Sequence, residues 1–197
     1  MRVRPCLGLL LVLMLTLGAK RSWASEPWRV DADSQLLEHL PARLSFPLNV
    51  GSLTRESHTF GQNPYTPLAA SVSYGLPGVA VVVVTIVPDE DPPVTAEKLF
   101  AARTMLFRQQ HPGAAPEALS AITSSCKRTT PAARFASFDL EATRESFYTT
   151  ALAGHVLYVR ATEARRDEKP ASSDTLAAFL AAMEWPCPEA RTRDDAG

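Results

Sequence analysis

The sequence predicts an α+β fold: a mostly antiparallel β-sheet with helices packed on both of its faces. Three observations predict it. Residues 79–87 read Val-Ala-Val-Val-Val-Val-Thr-Ile-Val, an unbroken apolar run dominated by β-branched residues. Such residues favour strands, and a strand apolar on both sides is expected to be covered on both sides. Two segments, one after Thr95 and one after Ser173, carry helical periodicity. The remaining extended segments are joined by turns, which makes sequence neighbours antiparallel partners.

The chain opens on a segment with its own logic. Arg2 and Arg4 precede an apolar run over residues 7–17, and Ser22-Trp23-Ala24 places small residues before Ser25. This three-part order is that of a cleavable signal peptide over 1–24. The rival is an uncleaved anchor, but the run falls short of the roughly 20 residues that span a bilayer. Lys20 and Arg21, between the run and the cut, blur the position of the cut rather than the reading of export. A lipid-accepting cysteine would follow the run; Cys6 precedes it and leaves with the segment.

The mature chain, from Ser25 to Gly197, has 173 residues, a length suited to one domain with its own core. The cut removes four of the 20 Lys and Arg residues and none of the 21 Asp and Glu residues, so the side-chain charge becomes −5. A mildly acidic chain without a basic run lacks the electrostatic footprint of a nucleic-acid binder. No second long apolar stretch predicts a membrane span after cleavage. Cys126 and Cys187 remain, and an even count in an exported chain favours a disulfide over two buried thiols. Its loop of about 60 residues is worth roughly 4 kcal/mol in the chain-entropy description. A redox dithiol would want Cys-x-x-Cys spacing, which is absent.

Residues 25–41 are read as a leader followed by a short helix over 31–40, with Leu36, Leu37 and Leu40 on one face and Pro41 as its stop. The main domain is expected over 42–187. Residues 43–50 alternate Leu44, Phe46 and Leu48, with Pro47 arguing for an edge. Residues 54–60 and 68–74 are further strands, and Gly75–Gly78 forms a tight connection to the central strand. Thr95 caps a helix to about Gln110, with Leu99, Ala102 and Leu106 on one face and Phe100 and Phe107 beside them. Arg103 interrupts that stripe, its stem lying over apolar surface and its head reaching water. Residues 116–130 fit a helix or a strand. Residues 134–142 form a strand, and 145–152 with 155–161 form an antiparallel pair around Ala153-Gly154. The last helix carries Leu176, Phe179, Leu180 and Met183 at i, i+3, i+4 and i+7. Residues 188–197 are a polar tail.

Ser-Val-Ser-Tyr-Gly at 71–75, the β-branched strand, the helix after it, Gly-His-Val-Leu-Tyr-Val-Arg-Ala-Thr at 154–162 and the helix ending at Trp185 form an order that resembles exported bacterial proteins of the broad PsbP-like type. The resemblance covers most of residues 42–187. It implies an α/β/α arrangement and an accessory protein that binds a partner rather than one that catalyses. It transfers no functional residue.

Catalytic and cofactor signatures are sparse. His39, His58, His111 and His155 lack metal-ligand spacing. Ser124-Ser125-Cys126-Lys127 contains Ser-x-x-Lys without the companion motifs of the enzymes that use it. A Cys126–His155 dyad would lose its thiol to the disulfide. Asp89-Glu90-Asp91, flanked by prolines, lacks the alternating ligands of a calcium loop. No cofactor is called for. Arg160 attracts more interest: alternation puts Val156, Tyr158 and Arg160 on one face, where the guanidinium either clamps an anionic ligand or pairs with Glu145 or Glu163. Tyr74, Tyr158, His155 and Arg160 are the interaction candidates. The leading expectation is a non-catalytic exported domain that binds an envelope protein or small ligand. The alternatives are a hydrolase built from distant residues such as His58, His155 and a carboxylate, and a structural subunit of an envelope complex.

Overall fold

A computed structural model describes residues 27–61, 68–89, 93–117, 133–165 and 175–183. The apolar stretch at 7–17, Cys126, Cys187 and the tail lie outside these residues. Among the described residues no helix is long and apolar enough to cross a membrane.

Eleven strands and two helices follow one another along the described chain. Strands β1 (Trp28–Val30), β2 (Leu37–His39) and β3 (Leu44–Phe46) form a small antiparallel sheet in that order. Strands β4 (Asn49–Val50), β5 (Leu53–Phe60), β6 (Ala70–Leu76), β7 (Ala80–Pro88), β8 (Pro116–Glu117), β9 (Arg134–Asp139), β10 (Thr143–Leu152) and β11 (His155–Ala164) form the main sheet. Its order is β4-β5-β6-β7-β11-β10-β9-β8, so β7 is central. Helix α1 spans Ala96–Gln110 and helix α2 spans Thr175–Ala182.

The local reasons are visible. Thr95 has extended backbone and its Oγ1 accepts from the Lys98 N–H, which satisfies one free amide of the first turn of α1. The β10–β11 hairpin turns through Gly154 at φ 68°, where a side chain would be strained. Pro47 divides the extended stretch 43–50 into β3 and β4, which belong to different sheets.

Three expectations are corrected. The short helix over 31–40 is absent. Asp31 Oδ1 accepts from the N–H groups of Asp33 and Ser34, closing a turn, and β2 follows with Leu37 and His39 buried. Period-two burial in a three-residue strand outweighed the helical spacing of three leucines.

The second correction is to the architecture. Helices do not form a layer on both faces of the sheet. One core cluster joins Val72, Tyr74, Val82, Val84, Leu157 and Val159 to Leu37, Leu44 and Phe46 of the small sheet, with the single short helix α2 adding Leu176 and Phe179. The cover on that face is therefore a second sheet as much as a helix. On the other face α1 packs against β9, β10 and β11 through Leu99 and Phe107.

The third correction follows from the second. The α1 core reaches β7 only at its end, where Val87 is buried with Leu99 and Phe107, so the rest of β7 is not covered on both sides: Val81 is 43 % exposed, and Val83 and Thr85 are partly exposed. Within α1 the buried positions are Ala96, Leu99 and Phe107, while Ala102 and Leu106 face solvent. Arg103 lies within the inward stripe instead of interrupting it.

Candidate functional site

Among the described residues, the uncovered half of the α1 face is where sequence-predicted residues meet open sheet. Strand alternation and register define it. Arg160 lies opposite Val83 of β7 and Phe147 of β10, and Thr162 opposite Val81 and Glu145. Ser71, Ser73 and Gly75 of β6 continue the same face, because Ser73 registers with Val83 and Gly75 with Val81.

Glu145 anchors the site. It is 5 % exposed, and its Oε2 accepts from Arg160 Nε at 2.8 Å and from Thr162 Oγ1 at 3.0 Å. A buried carboxylate needs such partners. The bond to Glu145 holds the Arg160 guanidinium pKa above its ordinary value, against a smaller opposing effect of burial. Nearly half of the Arg160 side chain remains in solvent, at 48 %. Both sequence readings of Arg160 are thus geometrically compatible: it pairs with Glu145 and still presents charge to solvent.

Tyr158 stands beside it on β11. Its ring stacks on Phe147 at 6.2 Å between centroids, and the Arg103 guanidinium lies 5.4 Å over the ring. Burial pushes the Tyr158 hydroxyl up to about 12, although Arg103 and Arg160 both pull it down. Two guanidinium groups therefore act on one neutral ring, and one of them, Arg160, is paired with buried Glu145.

Beyond Arg160 the face turns to small hydroxyls. Ser71 Oγ donates to Thr85 Oγ1 at 3.2 Å, and Ser57 and Ser73 share a hydrogen bond of 2.7 Å. A bulge at Arg55–Ser57 shifts the register of β5. It lets the Glu56 carboxylate lie across Gly75, where an added Cβ would meet Oε1 at 1.9 Å. The face thus runs from a cationic border at Arg103 and Arg160, across Val81 and Val83, to an anionic rim at Glu56.

The other candidates lie elsewhere. Tyr74 is fully buried on the opposite face, donates its hydroxyl to Pro47 O at 2.8 Å and packs on Phe179. Its burial raises the phenol pKa. It therefore ties β6 to the β3–β4 junction and is not placed to touch a partner. Tyr74→Phe should lower unfolding free energy in urea by about 1 kcal/mol, because Pro47 O loses its donor in a half-buried place.

His155 also faces the small-sheet side, with its ring 5.9 Å from that of His39. His58 approaches the same region through Trp28, at 5.7 Å. Among the described residues neither His58 nor His155 is hydrogen-bonded to a carboxylate, and no group of three or more His, Cys, Asp or Glu could hold a metal ion. The contributions of Arg103, Glu56 and Val81 to the open face were not read from the sequence; the cation inside the α1 stripe was the available signal for Arg103. Comparison with family models, curated proteins and solved structures found no match.

Proposed function

We propose that this chain is a non-catalytic exported domain that docks a protein partner in the cell envelope on the open half of its main sheet. The observation that carries the reading is a β-branched central strand left uncovered at Val81 and Val83 beside a half-exposed, held guanidinium at Arg160. Apolar surface in the middle of a patch with charged borders is the usual composition of a protein-binding face. A flat sheet suits a protein better than a small molecule, which is normally enclosed in a concave site. The cations at Arg103 and Arg160 favour a partner that brings a carboxylate to that border and a small apolar side chain to Val81. Export would place Cys126 and Cys187 where they can join.

A photo-crosslinking residue at Val81 should capture a protein of one discrete mass in intact cells. The same residue at Met105, on the solvent side of α1 and 59 % exposed, should not. Absence of an adduct at Val81, or the same adducts at both positions, would remove the open face as the docking site.

A further inference from the structure

Four rings stand in a row where the small sheet meets the main one. His58 of β5 lies 5.7 Å from Trp28 of β1, Trp28 lies 4.9 Å from His39 of β2, and His39 lies 5.9 Å from His155 of β11. Trp28 also packs on Phe46 at 5.9 Å and donates its indole N–H to Thr59 O. The row therefore links two strands of the small sheet to two strands of the main sheet that are not neighbours of each other.

His39 is the critical member. It is only 4 % exposed, and its Nδ1 accepts the Ala42 N–H at 3.2 Å. An imidazole nitrogen that accepts carries no proton, so this bond exists only in the neutral ring. Protonation would remove the acceptor, strand a buried amide and place a cation beside a second imidazole. The backbone around β2 is already strained. Gln35 and Arg43, on either side of it, have φ of 53° and 52°, a region that non-glycine residues occupy at a cost.

We propose that this histidine row is an acid-sensitive latch: the neutral His39 ring holds the small sheet closed on the main sheet, and its protonation opens the β2–β3 hairpin.

The surrounding charges offer no rescue for an imidazolium. Arg29 of β1 and Glu38 of β2 are paired with each other on the exposed side. Arg55 of β5 donates to the carbonyls of Phe46 and Gln35, and the β2–β3 turn contributes the exposed Arg43. From β11 comes His155, the one charge that acts on the His39 ring among the described residues, and it is a like charge. His58 approaches only through Trp28, and β7 is followed by exposed Asp89 beside Gly154. Burial first, and His155 second, lower His39 from 6.5 to about 4. The unfolded or open segment takes up a proton at higher pH than the closed one. Closure is therefore fully favoured above pH 6.5 and weakens as pH falls from 6.5 towards 4.

The test is amide hydrogen exchange of the mature chain, followed by NMR between pH 7.5 and 3.5 and corrected for intrinsic exchange. Ala42 should lose at least tenfold of its protection between pH 6.5 and 4.5, while Val82 and Val84 of β7 keep theirs. His39→Gln retains a side-chain acceptor without a titrating charge, and should abolish the loss. His155→Gln removes the like charge, brings the closed-state His39 nearer to its ordinary pKa, and should shrink the loss of Ala42 protection at low pH. Unchanged Ala42 protection down to pH 4 in the wild type would overturn the latch. So would an identical transition in His39→Gln, or, if that variant does not fold, a loss of protection undiminished by His155→Gln.

Discussion

Phe138→Ala should cost about 3–5 kcal/mol of unfolding free energy, the range for removing a fully buried aromatic ring. Phe138 has no exposed surface and lies between Phe107 of α1, at 4.8 Å, and Phe147 of β10, at 5.8 Å. Phe107 also touches Phe147 at 5.2 Å. Three rings thus meet where the helix sits on the sheet, and removing the middle one would leave a cavity between the other two. A loss of this size is a large share of the 5–15 kcal/mol available to a typical domain. Chemical denaturation should show a lower midpoint with an unchanged slope. Leu106→Ala is the control: Leu106 is 46 % exposed on the same helix and should change stability by less than about 0.5 kcal/mol. If the two variants were equally mild, α1 would not be held by this cluster.

The second large effect is at the charged border. Arg160→Leu should destabilise by about 3 kcal/mol, more than an exposed ion pair would suggest. The asymmetry lies in the partner. Arg160 is half in water, whereas Glu145 is buried and would keep only the Thr162 hydroxyl. The cost is that of an uncompensated carboxylate. Replacing both residues by leucine should recover most of it, because neither polar group is then left alone. A double-mutant cycle in urea measures the difference directly. Additive single effects would show that the pair does not act as a unit. The double variant is also the cleaner probe of docking, since it removes the guanidinium without leaving a stranded charge behind.

The main sheet was legible wherever a local signal was strong. The β-branched run at 79–87 is β7 and central, Thr95 starts α1, Ala153-Gly154 turns β10 into β11, and Leu176, Phe179, Leu180 and Met183 are buried together. The pairing of Arg160 with Glu145 was also open to sequence reasoning, because the two stand diagonally across one hairpin. Other features depended on tertiary placement. Three leucines in 31–40 fit a helix turn as well as a strand, and only packing of Leu37 into the core decides between them. Tyr74 was offered as an interaction residue, yet the face it takes follows from the register of β6 on β7. The exposure of Val81 reflects how far α1 extends sideways, a width that no residue spells out. The row of rings joins Trp28, His39, His58 and His155, whose proximity exists only once both sheets have formed.

The order of the main sheet carries one more consequence. Strands β4 to β7 run as one meander and β8 to β11 as another, and among the described residues the two are hydrogen-bonded only where β7 borders β11. Pairing inside each half follows chain order; this single seam joins Pro88 to His155 across the whole intervening chain. Bringing such distant partners together is entropically slow, so the rate of folding should be governed by how fast two preformed halves find each other. Weakening the seam would then delay self-assembly of the molecule far more than loosening either hairpin.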